Sequence, residues 1–213
     1  MTLDELRPLL AAALPADAAF DGWNARALEA TAARLGIDPK VAALAFPGGA
    51  VAMIDAWFAT VDAAMRTACP LDAMAKLKIR ERITTLVEAR LAILAPNREA
   101  LRRAQAVLAS PFNAATAARL GWRAADAMWR QAGDTATDYN YYTKRAILSG
   151  VYATSLMVFV NDEGEDWADT RAFLARRIEG VMQFEKVKAR VLKGRELAFS
   201  PARFLGRLRY PNA

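Results

Sequence analysis

The densest concentration of recognition-capable side chains runs from Ala132 to Arg145, Ala-Gly-Asp-Thr-Ala-Thr-Asp-Tyr-Asn-Tyr-Tyr-Thr-Lys-Arg. Asp134, Thr135, Thr137 and Asp138 carry the side-chain oxygens that cap helix N-termini. Behind them Tyr139, Tyr141, Tyr142, Lys144 and Arg145 crowd two helical turns. Tyrosine with arginine is the composition of interface hot spots. On a helix Tyr141 and Arg145 share a face, as do Asp138 and Tyr142. Spacing alone leaves two readings open: a capped helix with half-buried tyrosines and solvated bases, or a docking surface.

The composition excludes other chemistry. The 213 residues contain no His and one Cys, Cys69. A histidine ligand, an imidazole base, a Ser-His or Cys-His pair and a multi-thiolate site are therefore impossible, and Cys69 is expected to be a small buried residue. The acidic run Asn161-Asp-Glu-Gly-Glu-Asp lacks the ligand order and the twelfth-position Glu of a calcium loop. It reads as a loop with acids at the start of the next helix. No metal, no cofactor and no enzymatic activity are expected.

The formal charge of +6 is unevenly placed. From Lys186 to Arg209, eight basic residues stand against Glu196 alone. Leu197, Phe199, Phe204, Leu205 and Leu208 are interleaved with Arg203 and Arg207. Such a segment reads as an interfacial helix on anionic lipid, or as a surface helix packing on its own bundle or a second protomer. Two acids within the first five residues argue against a signal peptide or import presequence. The apolar stretch Ala146–Val160 is 15 residues long, short of the roughly 20 a membrane span needs.

Helix formers dominate and no β alternation is sustained, so the fold class is all-α. Helices are expected at Thr2–Ala13, ending before Pro15, and at Asn24–Leu35, with the aromatics of Phe20-Asp-Gly-Trp23 capping a small core between them. Gly36 and Asp38-Pro39 then introduce a short helix to Phe46. Pro47-Gly48-Gly49 breaks it. Longer helices follow at Ala50–Thr67, Leu71–Ala95, Asn97–Leu108, Ala114–Gln131, Tyr139–Val160 and Trp167–Val191, with a last one at Ala202–Arg209. Three parts are expected: a helix-turn-helix module (1–68), a helical bundle (69–191) and a basic tail (192–213).

The first part has the layout of the DNA-binding module of TetR-type regulators, and a ligand-responsive regulator is the alternative function. Its charge argues otherwise. Residues 1–66 hold five basic and eight acidic side chains, and the would-be reading helix, Pro-Lys-Val-Ala-Ala-Leu-Ala-Phe, offers one Lys and no Arg, Asn or Gln. DNA affinity rests on neutralising phosphates and reading base edges, so no nucleic-acid partner is expected.

The segment 132–145 closely resembles the signature of the ubiquinone-biosynthesis accessory family called Coq-nine, whose members have a TetR-like fold. The match runs through Ala132, Gly133, Asp134, Thr137, Asp138, Asn140, Tyr141-Tyr142, Thr143, Lys144 and Arg145. It continues in Leu148, Val151, Tyr152 and Thr154, and in Phe173-Leu174, Arg177-Ile178 and Val181-Met182. Phe20-Asp-Gly-Trp23 and Ala45-Phe-Pro-Gly-Gly resemble the family's N-terminal part. Tyr141 departs from the Trp that many members carry.

The resemblance implies a TetR-like bundle that binds an isoprenoid, quinone-type or phospholipid molecule and assists the di-iron hydroxylase acting on demethoxyubiquinone. It places partner contacts at Tyr141, Tyr142 and Arg145, with Asp138 and Asn140 beside them. The lipid is expected along Leu148, Val151, Tyr152, Met157 and Phe159, with Leu86, Leu91, Trp122 and Met128 as further candidates. Leu197, Phe199, Arg203, Phe204, Leu205, Arg207 and Leu208 are expected to meet an anionic membrane. The chain is thus expected to be a homodimer in the cytoplasm, peripheral on the inner membrane.

Overall fold

A computed structural model describes residues 2–135 and 139–181. Among these residues every regular element is helical. The order is α1 (Leu3–Asp21), α2 (Ala25–Arg34), α3 (Pro39–Leu44), α4 (Gly49–Ala68), α5 (Leu71–Ala75), α6 (Ile79–Leu94), α7 (Arg98–Leu108), α8 (Ala114–Gln131) and α9 (Tyr139–Phe159). Residues 168–174 are also helical. No helix among the described residues is long and apolar enough to cross a membrane.

α1 starts where expected and ends later. Thr2 and Glu5 form a reciprocal cap: the Thr2 hydroxyl accepts from the Glu5 N–H and the Glu5 carboxylate from the Thr2 N–H. The predicted stop at Pro15 is overridden, and the helix runs through Pro8 and Pro15 to Asp21. An interior proline costs about 3 kcal/mol. Leu6, Leu10 and Leu14 are all buried on one face, and each contributes about 1.5–3 kcal/mol, so packing wins. The predicted aromatic cap divides. Trp23 is buried, 5.2 Å from Trp57, and its indole N–H donates to the Ala100 carbonyl at 2.9 Å. Phe20 stands in solvent.

The helix predicted at 71–95 is two helices. Lys78 starts α6 by donating its backbone N–H to Glu81. Arg82 bonds the chain between them, donating to the Leu77 and Ala75 carbonyls and, across the bundle, to that of Ala132. At the far end of α9, Arg98 and Arg102 of α7 donate to the carbonyls of Phe159, Val160 and Asp162. Asp162, in the acidic loop, accepts from the Gly164 N–H and from both N–H and hydroxyl of Thr170. Burial pushes its carboxyl up, but these bonds outweigh that and hold it below the usual range. The loop therefore uses its one buried acid as a helix cap.

The core lies between α4, α6, α7 and α8, around Ile54, Trp57, Met65, Leu86, Leu91, Leu101 and Met128. Cys69 is buried, which pushes its thiol up, and its carbonyl accepts from Gln131. Residues up to Leu174 form one compact unit. The division expected at residue 68 does not separate the structure, because Trp23 and the packing of α1 on α4 and α7 join the first helices to the bundle. The described residues 175–181 belong to a second unit and are helical.

Candidate functional site

α8 and α9 pack along one another, and this pair carries two distinct features. The first is an aromatic patch at the start of α9. Gly133, in the left-handed region at φ 83°, turns the chain out of α8. The Asp134 N–H then donates back to the Trp129 carbonyl at 3.0 Å. The Asp134 carboxylate meets α9, accepting from Lys144 Nζ at 2.8 Å and from Arg145 Nη1 at 3.1 Å. Burial pushes this carboxyl up; the bonds from Lys144 and Arg145 outweigh it and hold it below the usual range.

Arg145 is the centre of the cluster. Its Nε donates to Asp126 at 2.7 Å and its Nη1 also to the Tyr141 carbonyl at 3.2 Å. Its guanidinium lies 3.6 Å over the Tyr141 ring. The Tyr141 hydroxyl donates to Asp126 at 3.3 Å, and Arg130 pairs with the same carboxylate at 2.8 Å. With 1 % of its surface exposed, Arg145 is not on the docking surface where the sequence reading put it. Tyr141 is half-buried, and Tyr142 stands out at 60 % exposure. The rings of Trp122, Tyr141 and Tyr142 lie within 5.0–6.3 Å of one another. Asn140 is exposed on the first turn of α9, and Asp138 lies outside the described residues.

The second feature is a pocket of about 530 Å³ between α4, α6, α7, α8 and α9, within the range of about 300–1,000 Å³ typical of small-molecule sites. Small residues open the space: Ala106, Ala109, Ala117, Gly121, Ala124 and Ala153 line it beside Phe58, Leu108, Leu120, Leu156 and Met157. At Gly121 a Cβ would stand 2.5 Å from Ser149 Oγ, so glycine permits the close approach of α8 to α9. Of the predicted lipid residues, Tyr152 and Met157 line the pocket. Leu148, Val151 and Phe159 are buried and are not among its lining residues, nor are Leu86, Leu91 and Met128; Trp122 belongs to the aromatic patch. The predicted membrane residues Leu197, Phe199, Arg203, Phe204, Leu205, Arg207 and Leu208 lie outside the described residues.

A charged ladder, unforeseen in the sequence reading, reaches the pocket. Asp55 and Asp62 are two turns apart on α4 and face Arg119 and Arg123 of α8. Arg119 pairs with Asp55 at 2.8 Å, Arg123 pairs with both acids, and Arg90 of α6 donates to Asp62 at 2.5 Å. Burial pushes the Asp55 carboxyl up, yet bonds from Arg119 and Arg123 hold it low. Arg90, 1 % exposed, lines the pocket with its guanidinium 4.9 Å over the Tyr152 ring. Burial works against its charge; Tyr152 and Asp62 more than offset that and keep it protonated. The seven-residue spacing of Asp55 and Asp62, set against Arg119 and Arg123, was the available signal.

The COQ9 family profile matches residues 114–185, which include α8 and α9 and so the patch and one wall of the pocket. Relatives named ubiquinone biosynthesis protein COQ9, mitochondrial, from Bos taurus and Rattus norvegicus are 32 % and 33 % identical to it over 167 residues. Over this span the chain matches the COQ9 family. The aligned 76 % of the chain spans 52 % and 54 % of those relatives, about half their length. The Drosophila melanogaster member is 26 % identical over 168 residues, 77 % of this chain and 51 % of its own. A solved TetR transcriptional regulator from Nitrosomonas europaea superposes with a TM-score of 0.66 at 24 % identity, over 83 % of this chain and 97 % of its own. That likeness establishes the TetR-like fold expected from the sequence. In this chain α3, the counterpart of the reading helix in the sequence layout, exposes Val41 and Leu44.

Proposed function

We propose that this chain is a lipid-binding accessory protein of ubiquinone biosynthesis and not itself an enzyme. It holds an isoprenoid or quinone-type lipid in the pocket and presents it to the di-iron hydroxylase that acts on demethoxyubiquinone. The carrying observation is that one helix serves both ends. Tyr142 in the patch and Tyr152 on the pocket are ten residues apart on α9, about 15 Å along its axis, so a docked partner and a bound lipid meet the same rigid element. The COQ9 relatives, named for ubiquinone biosynthesis, support the pathway.

In this reading Tyr142 is the contact and Arg145 the clamp that holds Tyr141 and Trp122 in place behind it. The protein works as a homodimer in the cytoplasm, peripheral on the inner membrane, where the basic segment 186–209 meets anionic lipid. Tyr142→Lys tests the partner side. Since Tyr142 is exposed, the melting temperature should stay within a degree or two while co-precipitation of the hydroxylase is lost; undiminished co-precipitation rejects the docking role. Mass spectrometry of lipid released from the purified protein tests the cargo, and release of no isoprenoid or quinone rejects it.

A further inference from the structure

Resting on the lipid-pocket reading, we propose that Arg90 reads an acceptor oxygen on the ring of the bound lipid, which enters head first and leaves its tail at the rim. The pocket has a polar inner end and an apolar mouth. Arg90 and Tyr152 are buried, at 1 % and 5 % exposure, whereas Ala106, Ala109, Ala153 and Met157 are exposed along the rim.

The inner end is also chemically incomplete. Arg90 Nη1 donates to Asp62, but Nε is buried with no acceptor among the described residues. Arg123 Nε, likewise without a hydrogen bond, at least faces Asp62 Oδ2 at 3.1 Å as an ion pair. The ladder holds three guanidiniums, of Arg90, Arg119 and Arg123, against the carboxylates of Asp55 and Asp62. Arg119 carries the extra charge at the exposed end of the ladder, 57 % of its side chain in solvent, so at the cavity it is the open Nε–H of Arg90, not a surplus charge, that is available. A buried donor without a partner is unfavourable, and a bond that satisfies it is strong because no water competes. A hydrocarbon tail supplies no acceptor; a ring carbonyl or phenolic oxygen does. A phospholipid headgroup brings a fully hydrated phosphate that the apolar mouth would have to strip.

The test uses the full chain, stripped of lipid, and three probes: a benzoquinone with a short isoprenoid tail, the matching isoprenoid hydrocarbon, and a short-chain phosphatidylglycerol. The wild type should bind the quinone at least tenfold more tightly than either other probe. Arg90→Lys keeps a charge opposite Asp62 but loses the Nε–H, its single ammonium being held by Asp62, and should reduce the preference over hydrocarbon to within twofold. If that variant fails to fold, Arg90→Met combined with Asp62→Asn, which leaves Asp62's site uncharged, takes its place with the same expectation. Equal binding of quinone and hydrocarbon by the wild type overturns the head-first assignment and leaves the pocket reading standing. A preference for phosphatidylglycerol, or one for quinone that survives in whichever of the two variants folds, also overturns it. Binding of none of the probes overturns the pocket reading and this proposal together.

Discussion

Two arginines, each 1 % exposed, anchor α9 near its start and at Tyr152, and they are not alike. Arg145 is bonded at both Nε and Nη1: two carboxylates, a carbonyl and an aromatic face surround its guanidinium. Arg90 has one carboxylate, a methionine sulfur at 3.9 Å and Tyr152, whose ring and hydroxyl both support its charge, and its Nε remains unpaired. A buried charge held by several partners at once fixes geometry. One left incomplete beside a cavity retains bonding capacity for something that comes and goes. The difference separates scaffold from reader within one helix bundle.

Replacing each arginine by leucine is the most severe way to break that comparison. Arg145→Leu leaves Asp126 and Asp134 without their shared partner. Removing one side of a buried pair costs about 3–5 kcal/mol, and the low end is expected because Asp126 keeps Arg130 and Asp134 keeps Lys144. Arg90→Leu strands only Asp62, which keeps Arg123, and it removes an unsatisfied donor as well, so about 2 kcal/mol is expected. Urea denaturation of the two variants measures both. Equal losses, or the reverse order, would show that Arg90 is as complete as Arg145 and remove the distinction.

Much of the fold was legible because the signals are local. Gly36, Asp38-Pro39, Pro47-Gly48-Gly49 and Pro111 bound helices where expected, each acting on its own or adjacent backbone. The misreadings share a cause. Pro15 signals a stop locally, but burial of α1 outweighs it; the helical pattern runs unbroken through α5 and α6, but Arg82 bonds a carbonyl 50 residues away. For the site, spacing correctly paired Tyr141 with Arg145 and could not supply Asp126, 19 residues earlier, which draws the guanidinium inward. The α8 stripe of Trp122, Asp126, Trp129 and Arg130, at three- and four-residue steps, was the missed indication of a face prepared for α9. The pocket was least legible. The exposed positions of α9 include Ala146, Gly150, Ala153 and Met157, so polarity hardly distinguishes its pocket wall, its core face and its surface, and Leu148, Val151 and Phe159 could not be told from Tyr152 and Met157.

If patch and pocket are separate devices, a change between them should alter one and spare the other. Gly121→Ala drives a methyl group toward Ser149 Oγ. Because a serine hydroxyl can rotate, the cost should be about 1 kcal/mol, at the low end for overpacking. In the double variant with Ser149→Ala the clash disappears, and stability should match Ser149→Ala alone within about 0.5 kcal/mol. Hydroxylase co-precipitation by Gly121→Ala should be unchanged. Its loss would mean that the fit of α8 against α9 couples the two ends.

The smallest effect concerns acid. Asp134 is held below its ordinary range when folded, since bonds from Lys144 and Arg145 outweigh its burial. A carboxyl whose folded value is depressed binds its proton more readily in the unfolded chain, so stability rises with pH through that interval. The contribution is therefore fully present above the unfolded value of about 3.9, and it fades as pH falls through the lower folded value. At neutral pH Asp134→Asn should lose that contribution, about 1 kcal/mol for a partly exposed cluster, and as pH falls below about 4 the gap between variant and wild type should narrow, closing only beneath the folded value. The corresponding change at Arg90's end, Asp62→Asn, has no shared tyrosine patch to loosen. Emission from Trp122, next to Tyr141 and Tyr142, should respond to acid in the wild type, respond less in Asp134→Asn, and keep its wild-type acid response in Asp62→Asn. An identical response in all three proteins would place the acid-sensitive contact elsewhere and leave Arg145 without its claimed hold on the patch.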